Sequence, residues 1–194
     1  MPRLIVMTIG HDHTEGTRPG IRAPISCVAD NDQSVGIMVE GLSQSRFWAS
    51  TAMFILEDDA QDGADHVDSH RSPAYVISPY TRRGIVDSTL YNTTSVLRTI
   101  ELILGLKPMT TFDAGARPMA NVFQETPNLA PYRNDPPRVP LDEKNPEHSA
   151  TAERSLNLDF SASDRADEHE LNDILWIAIR GTTPPAPVHS RFAR

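Results

Sequence analysis

Apolar positions along the chain fall into short runs separated by polar, glycine-rich and proline-rich stretches. Leu4 to Ile9, "LIVMTI", is continuous, short and rich in branched side chains, the pattern of a strand buried on both faces. "TAMFIL" (Thr51 to Leu56) and "AYVIS" (Ala74 to Ser78) have the same character. Between the first two runs, Val35, Met38, Val39 and Leu42 recur at helical spacing. Asp30, Asn31 or Asp32 is expected to cap that helix. Val96, Leu97, Ile100, Ile103 and Leu104 predict a second helix, begun by Thr93 or Thr94 and ended by Gly105. Leu171, Ile174, Leu175, Ala178 and Ile179 predict a third, amphipathic helix that must dock on another surface.

Strands alternating with helices predict an α/β fold with a mostly parallel sheet sandwiched by helices. Four segments follow: 1–125 as the folded part, 126–155 as a linker, 156–181 as the docking helix region and 182–194 as a disordered tail. The linker is inferred from Pro127, Pro131, Pro136, Pro137, Pro140 and Pro146, which oppose regular structure and favour extended or disordered chain. No internal repeat is present. In α/β folds ligands bind beyond the carboxyl ends of strands. Two polar clusters lie there, "HDHT" after Ile9 and "EDD" after Leu56.

Charge narrows the partners. The 194 residues hold 26 acidic and 18 basic side chains, a net charge of −8, which argues against nucleic acid and anionic membranes. An acidic chain still binds phosphate when metal ions invert the local field. No apolar run is long enough to span a membrane. The N-terminus has no signal-peptide pattern and resembles a strand whose preceding sequence is absent. Cys27 stands alone, so no internal disulfide forms, and it is read as a small packed residue.

The sharpest local feature is Glu57 to His70, with six acidic residues and two histidines. Carboxylates crowded at the end of a buried strand repel one another unless a cation neutralises them. An EF-hand loop begun at Asp58 matches at Asp62 and Gly63 but puts Ala60 and Ser69 where oxygen ligands are needed. His66 and His70 are four apart, yet the glutamate of a helical zinc motif is missing and Pro73 ends any helix there. The remaining option is a hard divalent site built from two strand ends. Asp58 and Asp59 supply oxygen, and His66 and His13 supply nitrogen or contact phosphate. That donor mixture suits zinc, manganese or iron better than calcium, and such a site hydrolyses phosphoryl or sulfuryl esters.

The quoted segments, from "HDHT" through "EDDAQDGADHVDSHRSP" to "FDAGARPM", resemble the C-terminal part of a phosphoesterase family within the alkaline phosphatase superfamily. That family includes bacterial phospholipases C and acid phosphatases. The likeness is strongest to the phosphoesterase domain fused behind a YncE-like β-propeller. It runs from about Pro2 to Phe123, and more faintly over Asp159 to Gly181. The resemblance implies that the α/β fold is alkaline phosphatase-like and incomplete within these residues. The resemblance implies that Asp58 and Asp59 ligate metal, and that Asp65 and His66 match the family's Asp-His pair. It implies that His13 and His66 contact metal or phosphate, with Asp12 a weaker ligand. His11 stands where relatives usually have asparagine. The family's nucleophile, a serine or threonine, lies in an N-terminal half, and neither Thr14 nor Thr51 has its context. The expectation is therefore a metal-dependent phosphoesterase fragment acting on a phosphate ester, or an inactive metal-binding remnant. For location, the resemblance implies export of full-length members.

Elsewhere, Arg82 and Arg83 read as a surface pair rather than an anion site, and Trp48 and Trp176 as core. His70 and Arg71 would support the metal loop, while His148, His169 and His189 read as solvated.

Overall fold

A computed structural model describes residues 2–57, 72–162 and 165–184. The chain is mixed α/β. Its elements are α1 (Pro24–Ser43), β1 (Met53–Leu56), β2 (Ala74–Ile77), α2 (Thr93–Leu104), α3 (Thr111–Gly115), α4 (Ala152–Leu156) and α5 (Glu168–Arg180). Contacts divide it into two compact units. One takes Met1–Met7, Val39–Leu56 and Ala74–Tyr132; the other takes Thr8–Met38, Glu57–Pro73 and Arg133–Arg194.

In the first unit β1 and β2 pair antiparallel, with Phe54 opposite Val76 and Ile55 opposite Tyr75. Phe54 and Val76 lie on the face that packs against Val96, Met119 and Val122, joined by Ile100 and Phe123. The Phe54 and Phe123 rings meet edge to face, 6.5 Å apart. A mostly parallel sheet was expected; among the described residues the sheet is these two antiparallel strands. Leu4 to Ile9 joins no sheet among the described residues, and Leu4, Ile5, Val6 and Met7 are exposed. A strand exists only through a partner's ladder, and branched apolar residues alone do not provide one.

Helix α2 follows its pattern at both ends, with a different cap. The Asn92 side chain, not Thr93 or Thr94, accepts the Ser95 amide and forms a capping box with Ser95. Gly105 closes the helix at φ 68°, a left-handed conformation that glycine adopts without a Cβ penalty. Val96 is buried and Ile100 touches the core, but Ile103 points to solvent. The inward face is largely polar instead. The Thr99 hydroxyl donates to the Ser95 carbonyl and accepts the Met119 amide. Glu101 is also buried, with Arg98 at 3.3 Å.

Irregular chain completes this unit. Arg83 lies 4.3 Å over the Tyr132 ring and donates to the carbonyls of Asn128 and Ala130, so it is a packing element rather than a free surface cation. Trp48 is buried, as expected, and meets Tyr132 edge to face.

In the second unit Pro24 begins α1, with its fixed φ suited to the first helical turn. In this part of α1 Val35 and Met38 are partly buried, while Ile25, Val28 and Ile37 face solvent; Val39 and Leu42, the helix's other inward positions, belong to the first unit. Asp30, Asn31 and Asp32 lie inside the helix rather than at its cap. The proline-rich stretch contains no regular element up to Ser149, yet it is tied down at several points. The Ala23 amide donates to the Glu143 carbonyl and the Asn145 amide to the Ile21 carbonyl. The Ser26 hydroxyl donates to the Pro140 carbonyl.

The centre of this unit is a buried hydroxyl cluster. Thr17 Oγ1 lies 2.7 Å from Thr151 Oγ1 and 3.0 Å from Ser155 Oγ. Gly16 has φ +62°, and a Cβ there would sit 2.7 Å from Ser155 Oγ, so only glycine brings the loop this close. Asn145 donates to the Gly16 and Arg18 carbonyls. Helix α5 closes over the cluster with Leu171 and Ile174 buried; Ala178 and Ile179, expected on the same face, are exposed. Asp167 caps α5, and Arg154 of α4 clamps Glu170 through two hydrogen bonds. Trp176 is half-buried, with its indole N–H directed to Thr182.

Asp113 provides a test of the polar packing. It is buried in α3 and accepts from the Met109 and Thr110 amides and from the Thr110 hydroxyl. The Thr110 hydroxyl above all, with the Glu101 side chain and the Met109 amide, holds its carboxyl well below the usual range. An aspartate depressed in the folded state stabilises above its unfolded value of about 3.9 and loses that contribution as pH falls toward the folded value. Asp113→Asn should therefore lower the urea midpoint at neutral pH, and its gap from wild type should narrow below about pH 4. A gap that stays constant into acid would contradict this role.

Candidate functional site

The "HDHT" loop follows the exposed apolar segment and turns at His11 and Asp12. His11, Asp12 and His13 are exposed and Thr14 is half-buried. Asp30, one turn and a half into α1, anchors this loop. Its Oδ2 lies 2.8 Å from His11 Nδ1 and 2.8 Å from Arg22 NH1. The Asn31 side-chain amide donates to the Ile9 carbonyl just before the loop. The hydrogen bond from His11, then those and the charge from Arg22, hold the Asp30 carboxyl below its ordinary range. Asp30 is therefore ionised at neutral pH and acts only as an acceptor.

Cys27 lies one turn before Asp30 and is 5% exposed. Burial pushes its thiol up, while Arg22 pulls it down and Asp30 and Asp12 push it up further. Thus Asp12, Arg22, Cys27 and Asp30 are close enough to feel one another. Cys27 is packed, as its type suggested, and its thiol is no ready nucleophile. Thr14 Oγ1 is enclosed beside the Cys27 thiol and has no standard hydrogen-bond partner among the described residues.

Of the residues singled out from sequence, Asp58, Asp59, Asp65, His66, His70 and Arg71 lie outside the described residues. Asp12 and His13 are placed side by side on the exposed loop. Among the described residues no three His, Cys, Asp or Glu side chains gather to hold a metal. A cleft of about 390 Å³ in the second unit is lined by Ala23, Ile25, Asn145, Ser149, Ile177 and Ile179, a mostly neutral set without an imidazole.

The arrangement adds three residues that pattern reading missed: His11, Arg22 and Asp30. By sequence Asp30 is one of three candidate caps for α1, and His11 stands where relatives usually have asparagine. The pairing spans 19 positions and no local spacing announces it. The one available sign was an acid placed where α1 continues unbroken in both directions.

The described fold is thus a mixed α/β chain with an acid-and-imidazole loop anchored on its longest described helix. Residues 23–107 match the family model described as Phosphoesterase family. The match takes in α1 with Asp30, both strands, the acidic stretch and α2, and leaves the "HDHT" loop just outside. Comparison with curated proteins and with solved structures finds no match. No described helix is long and apolar enough to cross a membrane.

Cys27 gives this geometry a direct check. Its raised, enclosed thiol should react with iodoacetamide far more slowly in the native chain than in urea. Native labelling as fast as unfolded labelling would show that α1 and the loop do not enclose it.

Proposed function

We propose that this chain is part of a metal-dependent hydrolase of phosphoric ester bonds. The observation that carries this reading is the Phosphoesterase family match over residues 23–107, which contains the acidic run Glu57 to Asp68. In this reading Asp58, Asp59, Asp65 and Asp12 hold the cation, and His13 and His66 contact the phosphoryl group. Carboxylate and imidazole donors fit zinc, manganese or iron in chemical type, better than calcium. When bound, such a cation supplies Lewis-acid charge to the phosphoryl group.

The chain's own residues do the rest. Arg22 and Asp30 fix the loop that carries Asp12 and His13. Asp12 and His13 face solvent, where a phosphate ester has access. A covalent route needs an activated hydroxyl, and none of the described residues activates Thr14; the reading places the nucleophile in a further segment of the α/β domain. The exposed, unpaired run Leu4 to Met7 supports a sheet that gains further strands from such a segment. Turnover of p-nitrophenyl phosphate by these 194 residues alone is accordingly expected to be weak.

Metal coupling to stability tests the reading without needing fast turnover. Five aspartates between Asp58 and Asp68 repel one another until a cation binds. A cation that binds only the folded chain at a hundredfold excess over Kd adds about 2.7 kcal/mol. For a chain of this size that is a melting shift on the order of 5–10 °C. Zinc or manganese should raise the midpoint measured in EDTA, and Asp58→Asn with Asp59→Asn should abolish the rise. No response to any metal, or an equal response in the double variant, would make the stretch an ordinary solvated loop. A full metal response, with no turnover even when a segment bearing the family's nucleophile is supplied, would favour an inactive metal-binding domain.

A further inference from the structure

The cleft of about 390 Å³ in the second unit shares Thr17 and Thr151 with the buried hydroxyl cluster, and Asn145 also lines it. Thr17, Thr151 and Asn145 are 4%, 2% and 6% exposed. Each hydroxyl has one hydrogen to give. Ser155 Oγ accepts the Thr17 amide, and its one acceptor among the described residues is Thr17 Oγ1 at 3.0 Å. Ser155 is fully buried, so its hydrogen goes to Thr17. Thr17 then donates to Thr151 Oγ1 at 2.7 Å. The relay ends at Thr151, which lines the cleft and whose own hydrogen has no acceptor among the described residues. Asn145 supplies the opposite polarity. Its side-chain nitrogen gives its hydrogens to the Gly16 and Arg18 carbonyls, leaving Oδ1 as an acceptor to which no described residue donates. Apolar walls come from Ile25 of α1 and from Ile177 and Ile179 of α5. Glu143 and Lys144, both exposed, add one charge of each sign at the rim.

We propose that this cleft binds a small neutral amide with an apolar substituent: the ligand's carbonyl accepts from Thr151, its N–H donates to Asn145 Oδ1, and its apolar end lies against Ile25 and Ile179. An amide carries a strong acceptor and a strong donor on separate atoms without charge, as two separate partners of opposite polarity require. A hydroxyl puts both on one atom, and an ester lacks the donor. No charged lining residue is buried, so a charged ligand would lose its hydration without a matched partner. The volume lies at the small end of the range for ligand sites. None of the lining residues is assigned to the cation or the phosphoryl group, so this site does not depend on the phosphoesterase reading.

Titration of the nitrogen-15-labelled full chain with N-butylacetamide tests this by NMR, with butyl acetate as the isostere that keeps the carbonyl and lacks the N–H. The amide should move the backbone peaks of Thr17, Asn145, Thr151 and Ile179 saturably, with half-saturation below about 10 mM. Butyl acetate, though more apolar, should bind at least about tenfold more weakly, because it leaves Asn145 Oδ1 unpaired. Thr151→Val keeps the outline of the side chain without its hydroxyl and should weaken the amide about tenfold. If Thr151→Val does not fold, Ala178→Trp, at an exposed position on the cleft wall, should abolish the shifts by filling the space. Shifts that never saturate, an ester bound as tightly as the amide, or an unchanged midpoint in folded Thr151→Val or in Ala178→Trp would overturn the proposal and leave the cleft an ordinary surface depression.

Discussion

The fold is constrained by polar groups taken out of water. Among the described residues twelve polar or charged side chains are buried, against ten hydrophobic ones. A buried hydroxyl or carboxylate without a partner costs on the order of 1–3 kcal/mol, which favours placing such groups opposite one another. In the second unit this forces Thr17, Thr151 and Ser155 together, and Gly16 makes the approach possible. In the first unit Asp113 gathers Met109 and Thr110, and Thr99 joins Ser95 to Met119. Loops distant in sequence are joined by these bonds where a larger sheet would otherwise join them.

The loop bearing Asp12 and His13 is held in the same way. It has no apolar anchor of its own, since His11, Asp12 and His13 are all exposed. The ionised Asp30 on α1 supplies the anchor, drawing in His11 from one side and Arg22 from the other. A helix is a stiff base, and a donor fixed to it is positioned more precisely than one on a free loop. The position of the imidazole then follows from a single carboxylate.

What was legible in the sequence was what local chemistry decides. Helical spacing located α2 and α5, and Gly105 marked the end of α2 because the left-handed C-terminal position selects glycine. The runs at Thr51 and Ala74 became β1 and β2. Leu4 to Ile9 has the same composition and makes no strand, since pairing depends on what lies beside it and not on the run itself. The proline-rich stretch read as linker because proline cannot build ladders; its hydrogen bonds to Ala23, Ser26 and Ile21 are long-range and leave no local mark. The Asp30 pairing was hidden for the same reason. The acidic run suggested a cation site through its charge density at a strand end, and its residues Asp58 to Arg71 lie outside the described structure.

The central claim is that the acidic stretch and the "HDHT" loop serve one cation and one phosphoryl group. Crystals grown with zinc and inorganic phosphate, measured on both sides of the zinc absorption edge, address it directly. The account predicts an anomalous peak with Asp58 or Asp59 and a residue of His11 to His13 at ligand distances of roughly 2.0–2.2 Å, and phosphate beside it. Zinc bound by the acidic stretch with the loop remote from it, or zinc only at scattered surface histidines, would contradict the account.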